Sequence, residues 1–200
     1  MIGGVFLAAG TGGRFGSQKT LACIDGIPLI VKGLKSCIGS DLDEIVVVLG
    51  YRYKQVREEI EKYFPKNDNL KIVVNRNYSK GIISSFNKGL KLLSVKCIGA
   101  MMLLGDMPLI GSETINRLIA VSEVNKIILP EVDGKFFHPR IIPSTIFNDF
   151  FKLTDLNSGK SIMSRNRDMF KSVLFDNKNE FYDIDTKEDL MNLRVTNFVK

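Results

Sequence analysis

Cysteine is scarce in this chain. Cys23, Cys37 and Cys97 are odd in number, far apart, and contain no C-x-x-C pair. A disulfide framework or a zinc site is therefore not expected, and the composition fits a reducing cytoplasm. Histidine is scarcer still, with His138 alone, and tryptophan is absent. No apolar run approaches the ~20 residues that span a bilayer, so a membrane role is not expected. The apolar stretch Ile2 to Ala9 has no basic segment before it and runs straight into glycines, which reads as a strand rather than a signal peptide. Lys and Arg exceed Asp and Glu, giving a net charge of +6, yet no block of five or six basic residues occurs. A nucleic-acid partner is therefore not expected; the excess reads as solvated faces of mixed sign, with some attraction for polyphosphate ligands. Internal repeats, low-complexity tracts and linkers are also missing.

What remains is an ordinary globular composition, with 44% hydrophobic and 25% charged residues. Two hundred residues make one domain, over 1–200, large enough to bury a core without staples. Short apolar runs alternate with helical spacing. The pattern predicts strands at Gly3–Ala9, Glu44–Leu49, Leu70–Val74, Ile98–Leu104 and Lys126–Pro130. It predicts helices at Pro28–Ile38, Tyr51–Phe64, Ser84–Leu93, Ser112–Val121, Pro143–Lys152 and Asp185–Leu193. Such alternation implies βαβ units, a mainly parallel sheet, and helices on both faces: an α/β/α sandwich.

In that architecture ligands bind beyond the carboxyl ends of the strands. Two segments fall there. Leu7-Ala8-Ala9-Gly10-Thr11-Gly12-Gly13-Arg14-Phe15-Gly16-Ser17-Gln18-Lys19 follows the first strand. Glycines let backbone N–H groups approach an anion, and Arg14 and Lys19 add charge. The spacing is neither that of the P-loop nor that of the dinucleotide fingerprint, and a plain strand-to-helix turn is the competing role. Leu104-Gly105-Asp106-Met107-Pro108 follows the fourth strand and presents one carboxylate. One carboxylate with phosphates and waters is a usual way to hold Mg²⁺; the competing role for Asp106 is an N-cap.

The segment from Leu7 to Lys19 resembles the signature of the MobA-like NTP transferases, closest in its motifs to the molybdopterin cytidylyltransferases. Four further segments resemble that family in the same order: Gly81 to Leu90, Leu104 to Leu109, Phe137-His138-Pro139-Arg140, and Tyr182-Asp183-Ile184-Asp185-Thr186-Lys187-Glu188-Asp189-Leu190. The resemblance covers essentially the whole chain. It implies a Rossmann-like, three-layer fold of the nucleotide-diphospho-sugar transferase type, with an NTP over the sheet. Carried over, Leu7, Ala8, Ala9, Gly10, Thr11, Gly12 and Arg14 would bind the nucleotide, with Lys19 neutralising the α-phosphate. Ser84 and Ser85 would meet the nucleotide too, although Ser84 competes as an N-cap. Asp106 would hold Mg²⁺, with Asp183 or Asp185 as second carboxylate and Asp185 favoured. Asp185 has a competing role as N-cap of the last helix, with Glu188 closing a capping box. Asn87, His138 and Lys160 would meet the acceptor, His138 competing as a structural imidazole beside Pro139.

The implied reaction moves a nucleoside monophosphate from an NTP to a phosphorylated small molecule. An anionic nucleophile needs no general base, which agrees with the poverty of histidine. Leu-Ala-Ala-Gly resembles the CTP-using branch rather than the GTP-using one, so Ala9 favours CTP. Molybdopterin is the implied acceptor, with transient contact to a molybdoenzyme or an insertion protein. The sequence departs from the family at Leu156-Asn157-Ser158-Gly159-Lys160-Ser161-Ile162, where Asn157 and Lys160 stand in place of an acid and an arginine. A guanylyl- or sugar-phosphate-directed transferase and an NTP-binding accessory protein without turnover are the alternatives.

Overall fold

A computed structural model describes residues 1–16, 18–65, 67–153 and 158–197. Ser17 of the glycine loop, and Leu156 and Asn157 of the departing stretch, lie outside the described residues. The chain runs β1 (Ile2–Ala8), β2 (Cys23–Ile24), β3 (Ile27–Pro28), α1 (Leu29–Ile38), β4 (Glu44–Leu49), α2 (Tyr53–Tyr63), β5 (Leu70–Val74) and α3 (Ile82–Leu90). It continues through β6 (Gly99–Leu104), α4 (Ser112–Ala120), β7 (Ile127–Val132), β8 (Lys135–Phe136), β9 (Arg140–Pro143) and α5 (Phe147–Phe151). The last elements are α6 (Ser158–Arg165), β10 (Phe170–Leu174) and α7 (Lys187–Asn197).

The main sheet has the order β10-β7-β9-β6-β1-β4-β5, with β8 paired to β7. β1 lies parallel between β4 and β6, and β5 continues the parallel run. β9 is antiparallel to both β6 and β7, so the sheet is mixed but mainly parallel. Strand alternation divides the interior. Ile2, Phe6 and Ala8 of β1 face the core built with Ile30, Leu34, Val56, Ile60, Ile115 and Leu118 of α1, α2 and α4. Val5 and Leu7 face the opposite core, built with Ile83, Phe86, Leu90, Phe150 and Ile162 of α3, α5 and α6. A strand buried on both faces needs a continuous apolar run, and β1 and β4 are buried at every position. The three-layer α/β/α fold follows.

Several elements differ from the expected pattern, the short strands β2, β3 and β8 among them. The apolar run after His138 forms β9 through Pro143, leaving a 3₁₀ turn at Ser144–Ile146 and only five residues in α5. Helix α3 begins at Ile82, two residues before Ser84, because Gly81 (φ 97°) opens it. Helix α6 and edge strand β10 were not legible from periodicity. β10 is half-exposed with polar Lys171 and Ser172 inside it, so its apolar run is broken.

A third, smaller cluster positions the site. Phe15, at the end of the glycine loop, packs with Ile24 and Leu29 of the β2–β3–α1 corner and with Ile184, Leu190 and Leu193 of the closing segment. That cluster brings the two ends of the described chain together beside the loop.

Candidate nucleotide and metal site

The site is built where β1, β4 and β6 end on the same side of the sheet. β1 delivers Leu7, Ala8 and Ala9. The Ala9 carbonyl accepts the Tyr51 N–H at 3.1 Å, and a Cβ on Gly50 would fall 2.5 Å from that carbonyl oxygen. Only glycine lets the end of β4 approach so closely. Beyond Ala9 the loop turns through Gly12 (φ 62°) and Gly16 (φ 73°), the left-handed region that glycine enters without strain. The Thr11 and Gly12 amides donate to no protein group among the described residues, so they stay open to an anion.

Two cations and two carboxylates meet beside this loop. Lys19 Nζ lies 2.7 Å from Asp106 Oδ2 and 3.3 Å from Asp185 Oδ1. Arg14 Nη2 lies 2.7 Å from Asp185 Oδ2. Lys19 is largely buried, with 14% of its side chain exposed, whereas Arg14 is 74% exposed. The second oxygen, Asp106 Oδ1, is buried with no hydrogen-bond partner among the described residues. Backbone bonds fix the carboxylate from both sides: Gly105 N–H donates to the Leu7 carbonyl at 2.9 Å, and Ile184 N–H donates to the Asp106 carbonyl at 2.9 Å.

The geometry decides between the roles left open above. Asp106 is not an N-cap, since α4 begins at Ser112 behind Gly111. Asp183 is exposed, while Asp185 enters the cluster. The helix is capped one residue later than expected. Asp189 Oδ2 accepts the Asp185 and Thr186 N–H groups at 3.0 and 2.7 Å, and the Thr186 hydroxyl accepts the Asp189 N–H at 3.1 Å. Thr186 and Asp189 form the capping box, which frees the Asp185 side chain. Hydrogen bonds from Tyr182 and Thr186 hold the Asp189 carboxyl down at about 2.

A cavity of about 380 Å³ opens between the loop and α3. Leu7, Ala9, Gly10, Thr11, Ser85 and Asp106, all singled out in the sequence, line it. Tyr78, Ser79 and Ile82 line it as well and were not expected. Ser84 lies beside the cavity rather than in it: its hydroxyl donates to the Asn77 carbonyl and accepts from Asn75 at 3.0 Å. Asn75 is buried, and its amide donates to Ser84 and Ser85 while its carbonyl accepts the Asn77 N–H. It shapes the whole 75–85 wall, yet it escaped the sequence reading. Its place, one residue past the carboxyl end of β5, was the available signal.

A second cavity of about 510 Å³ lies on the other side of Ile82, which lines both. His138 and Lys160 line it. Asn87 lines neither cavity; its amide donates to the Phe150 carbonyl at 2.7 Å and ties α3 to α5. Asn87 instead lines a separate open hollow with Asn75, Ser84 and Lys88. His138 hydrogen-bonds the Met102 carbonyl, and its Nδ1 is sealed without a partner. Burial, aided by the charge on Arg140, pushes it down to about 3, so the imidazole is neutral and offers a phosphate no charge. Arg140, quoted in the His138 motif but given no role, shares this cavity with Arg167. No disulfide joins the cysteines among the described residues, and burial pushes the Cys37 thiol up to about 12.

Asp106 and Asp185 are the oxygen donors available to a divalent cation. A buried carboxylate oxygen without a partner among the described residues, on a residue that lines the cavity, fits a hard ion. Among the described residues no group of three or more His, Cys, Asp or Glu gathers, so phosphates and waters would complete the shell. No helix among the described residues is long and apolar enough to cross a membrane.

The sequence pattern of the MobA-like NTP transferase domain matches residues 4–169. Among curated proteins, the bifunctional protein GlmU of Aliarcobacter butzleri is 32% identical over 136 residues, 64% of this chain and 28% of that protein. The chain thus spans little more than a quarter of the length of that relative. Among solved structures, Rv0371c from Mycobacterium tuberculosis superposes with a TM-score of 0.85 at 23% identity, covering 97% of both chains. A manganese complex of the same protein gives 0.80 at 22% identity, over 98% of both. The 4-diphosphocytidyl-2C-methyl-D-erythritol synthase of Anaerococcus prevotii gives 0.77 at 16% identity, over 99% of this chain and 96% of that one. These likenesses share the fold found here.

Proposed function

Because the chain belongs to the MobA-like NTP transferase family, a family of nucleotidyltransferases, we propose that it transfers CMP from CTP to a molybdopterin-type phosphate and releases pyrophosphate. The observation that carries this reading is the Arg14–Asp185–Lys19–Asp106 cluster beside the open amides of the glycine loop. Its two positive and two negative charges balance without ligand. When a triphosphate enters with its metal ion, the carboxylates have a cation to take and Lys19 and Arg14 have phosphates to take. Each charge exchanges one partner for another, so none is left buried and bare.

Asp106 and Asp185 would hold Mg²⁺, which supplies charge neutralisation and a template for the phosphates. Thr11 and Gly12 present their amides, and Arg14 its exposed fork, to the β- and γ-phosphates. Lys19, fixed by two carboxylates, meets the α-phosphate as negative charge grows on it. An acceptor phosphate oxygen attacks the α-phosphorus, and the bond to the pyrophosphate oxygen breaks in line. No proton has to be removed from that nucleophile, and a neutral, sealed His138 is consistent with this. The second cavity receives the acceptor across Ile82.

The methyl of Ala9 supports CTP, because it narrows the mouth of the nucleotide cavity against a purine. The GlmU likeness supports a sugar phosphate as the second reading of the acceptor. Pyrophosphate release, measured for CTP, GTP and UTP against molybdopterin and N-acetylglucosamine 1-phosphate, separates these. Turnover with none of them, despite tight Mg²⁺-dependent NTP binding, overturns the transferase reading in favour of an accessory protein.

A further inference from the structure

Among the described residues, the second cavity is lined by three cations and no carboxylate. Arg140, Lys160 and Arg167 line it, and every ion pair among the described residues lies elsewhere. Lys160 and Arg167 are exposed at its rim, whereas Arg140 is half-buried on β9, opposite Met102 of β6. Arg140 Nε donates to the Phe137 carbonyl at 2.9 Å, which fixes the plane of the guanidinium. Its terminal nitrogens find no acceptor among the described residues. Burial alone moves its pKa, downward, with no neighbouring acid to oppose the shift. A partly desolvated cation without a counter-ion is costly, and a planar fork with two open ends matches a carboxylate or phosphate. Most of the remaining wall is apolar, including Met102, Leu129, Ile142 and Phe150, all buried; His138 and Ser164 are its other polar side chains. Such a wall gives the several hydroxyls of a sugar few partners, and stripping water from those left unpaired is unfavourable.

We propose that Arg140 is the specificity-determining residue of the acceptor subsite, gripping the acidic group of an acceptor whose body is apolar rather than rich in hydroxyls. The term acceptor rests on the transferase reading; the binding chemistry stands on the cavity itself. Lys160 and Arg167 draw the anion to the mouth, and the apolar wall selects what the anion is attached to. Among phosphorylated acceptors this disfavours sugar phosphates.

Three probes test it on the intact chain by fluorescence and calorimetry: 2-naphthyl phosphate (apolar and anionic), 2-naphthol (apolar and neutral), and N-acetylglucosamine 1-phosphate (anionic and hydroxyl-rich). Naphthyl phosphate is expected to bind at least about 10-fold more tightly than either control, with saturating CTP and Mn²⁺ leaving it in place. Arg140→Gln should weaken naphthyl phosphate by about 10- to 100-fold, the scale of one charged hydrogen-bonding group, and change naphthol by less than about 2-fold. Unchanged Mn²⁺–CTP affinity in that variant shows that it is folded; if it does not fold, the three probes on the unmodified chain decide. The proposal is overturned if the sugar phosphate binds as well as naphthyl phosphate, if CTP displaces the probe, or if Arg140→Gln leaves its affinity unaltered. Failure of the unmodified chain to bind CTP would instead sink the transferase reading and leave the naphthyl contrast standing.

Discussion

The two ends of the sheet contain the same ingredients, a lysine against a carboxylate, and use them differently. At the amino end, Glu44 opens β4. Its Oε2 meets Lys71 Nζ at 2.6 Å, and its Oε1 accepts from the Ser94 N–H and the Cys97 thiol. Both oxygens are occupied, and the cluster ties β4, β5 and the start of β6 together. At the carboxyl end, Asp106 lines a cavity, meets Lys19 with one oxygen and leaves the other buried without a partner among the described residues. A satisfied ion pair is a fastener. One with an open valence beside a cavity is a site. Proximity of opposite charges does not distinguish the two; the accounting of every oxygen does.

The strongest way to break this comparison is Asp106→Asn. Turnover should fall at least ~100-fold, the scale of losing one preorganised electrostatic group, while the unfolding midpoint stays close to that of the unmodified chain. Steady-state pyrophosphate release with a denaturant titration checks both halves, and near-normal turnover would remove Asp106 from the mechanism.

Glu44→Gln should do the reverse, costing about 1.5–3 kcal/mol of stability with turnover changed by less than about 2-fold. Burial pushes the Glu44 carboxyl up, and hydrogen bonds from Lys71, Ser94 and Cys97 outweigh it, leaving it below its ordinary value of 4.5. A lowered folded pKa contributes stability that is complete above the ordinary value and lost as pH falls through the folded one. The unmodified chain should therefore lose stability below pH 4.5, and Glu44→Gln should lose less of it there. Denaturant unfolding at pH 7 and at acid pH measures this; equal acid sensitivity in the two proteins would mean that the amino-end cluster is not the fastener described.

Ala9→Gly sharpens the comparison inside the carboxyl-end site. CTP should be preferred over GTP by tens-fold in the unmodified chain, about 1–3 kcal/mol, and the variant should relax that preference. The readout is kcat/KM for both nucleotides with one acceptor; a GTP preference in the unmodified chain would end the CTP assignment.

The smallest effect separates the cap from the site in adjacent residues. Thr186→Ala should cost about 1 kcal/mol of stability through the lost cap. Asp185→Asn should leave stability nearly unchanged and lower turnover. Parallel unfolding and activity curves for the two variants test the division, and equal losses in both would erase it.

Much of the site was legible because its parts are local. Gly10 to Gly16, with Arg14 and Lys19, is a continuous segment whose chemistry can be read from spacing, and Asp106 follows an unmistakable apolar strand. The misreadings share a cause. Ser84 and Asn87 have polar side chains at a helix entrance, but whether each faces a cavity or a neighbouring carbonyl depends on Asn75 and on α5, elements that no local pattern connects to them. The lost strand β10 is short and interrupted by polar residues, so periodicity could not carry it.

By itself, the sequence determined the layered α/β fold, the glycine loop after β1, the carboxylate after β6 and the family, because each depends on the order of residues within one strand–loop unit. Tertiary structure alone decided that Asp185 rather than Asp183 joins the cluster, that Thr186 and Asp189 rather than Asp185 and Glu188 cap α7, and that Arg140 has no counter-ion among the described residues. Those outcomes turn on partners far apart in the chain, Arg14 and Asp185 being separated by 171 positions. A charged side chain settles its role by which distant group reaches it first, and only the folded chain fixes that distance.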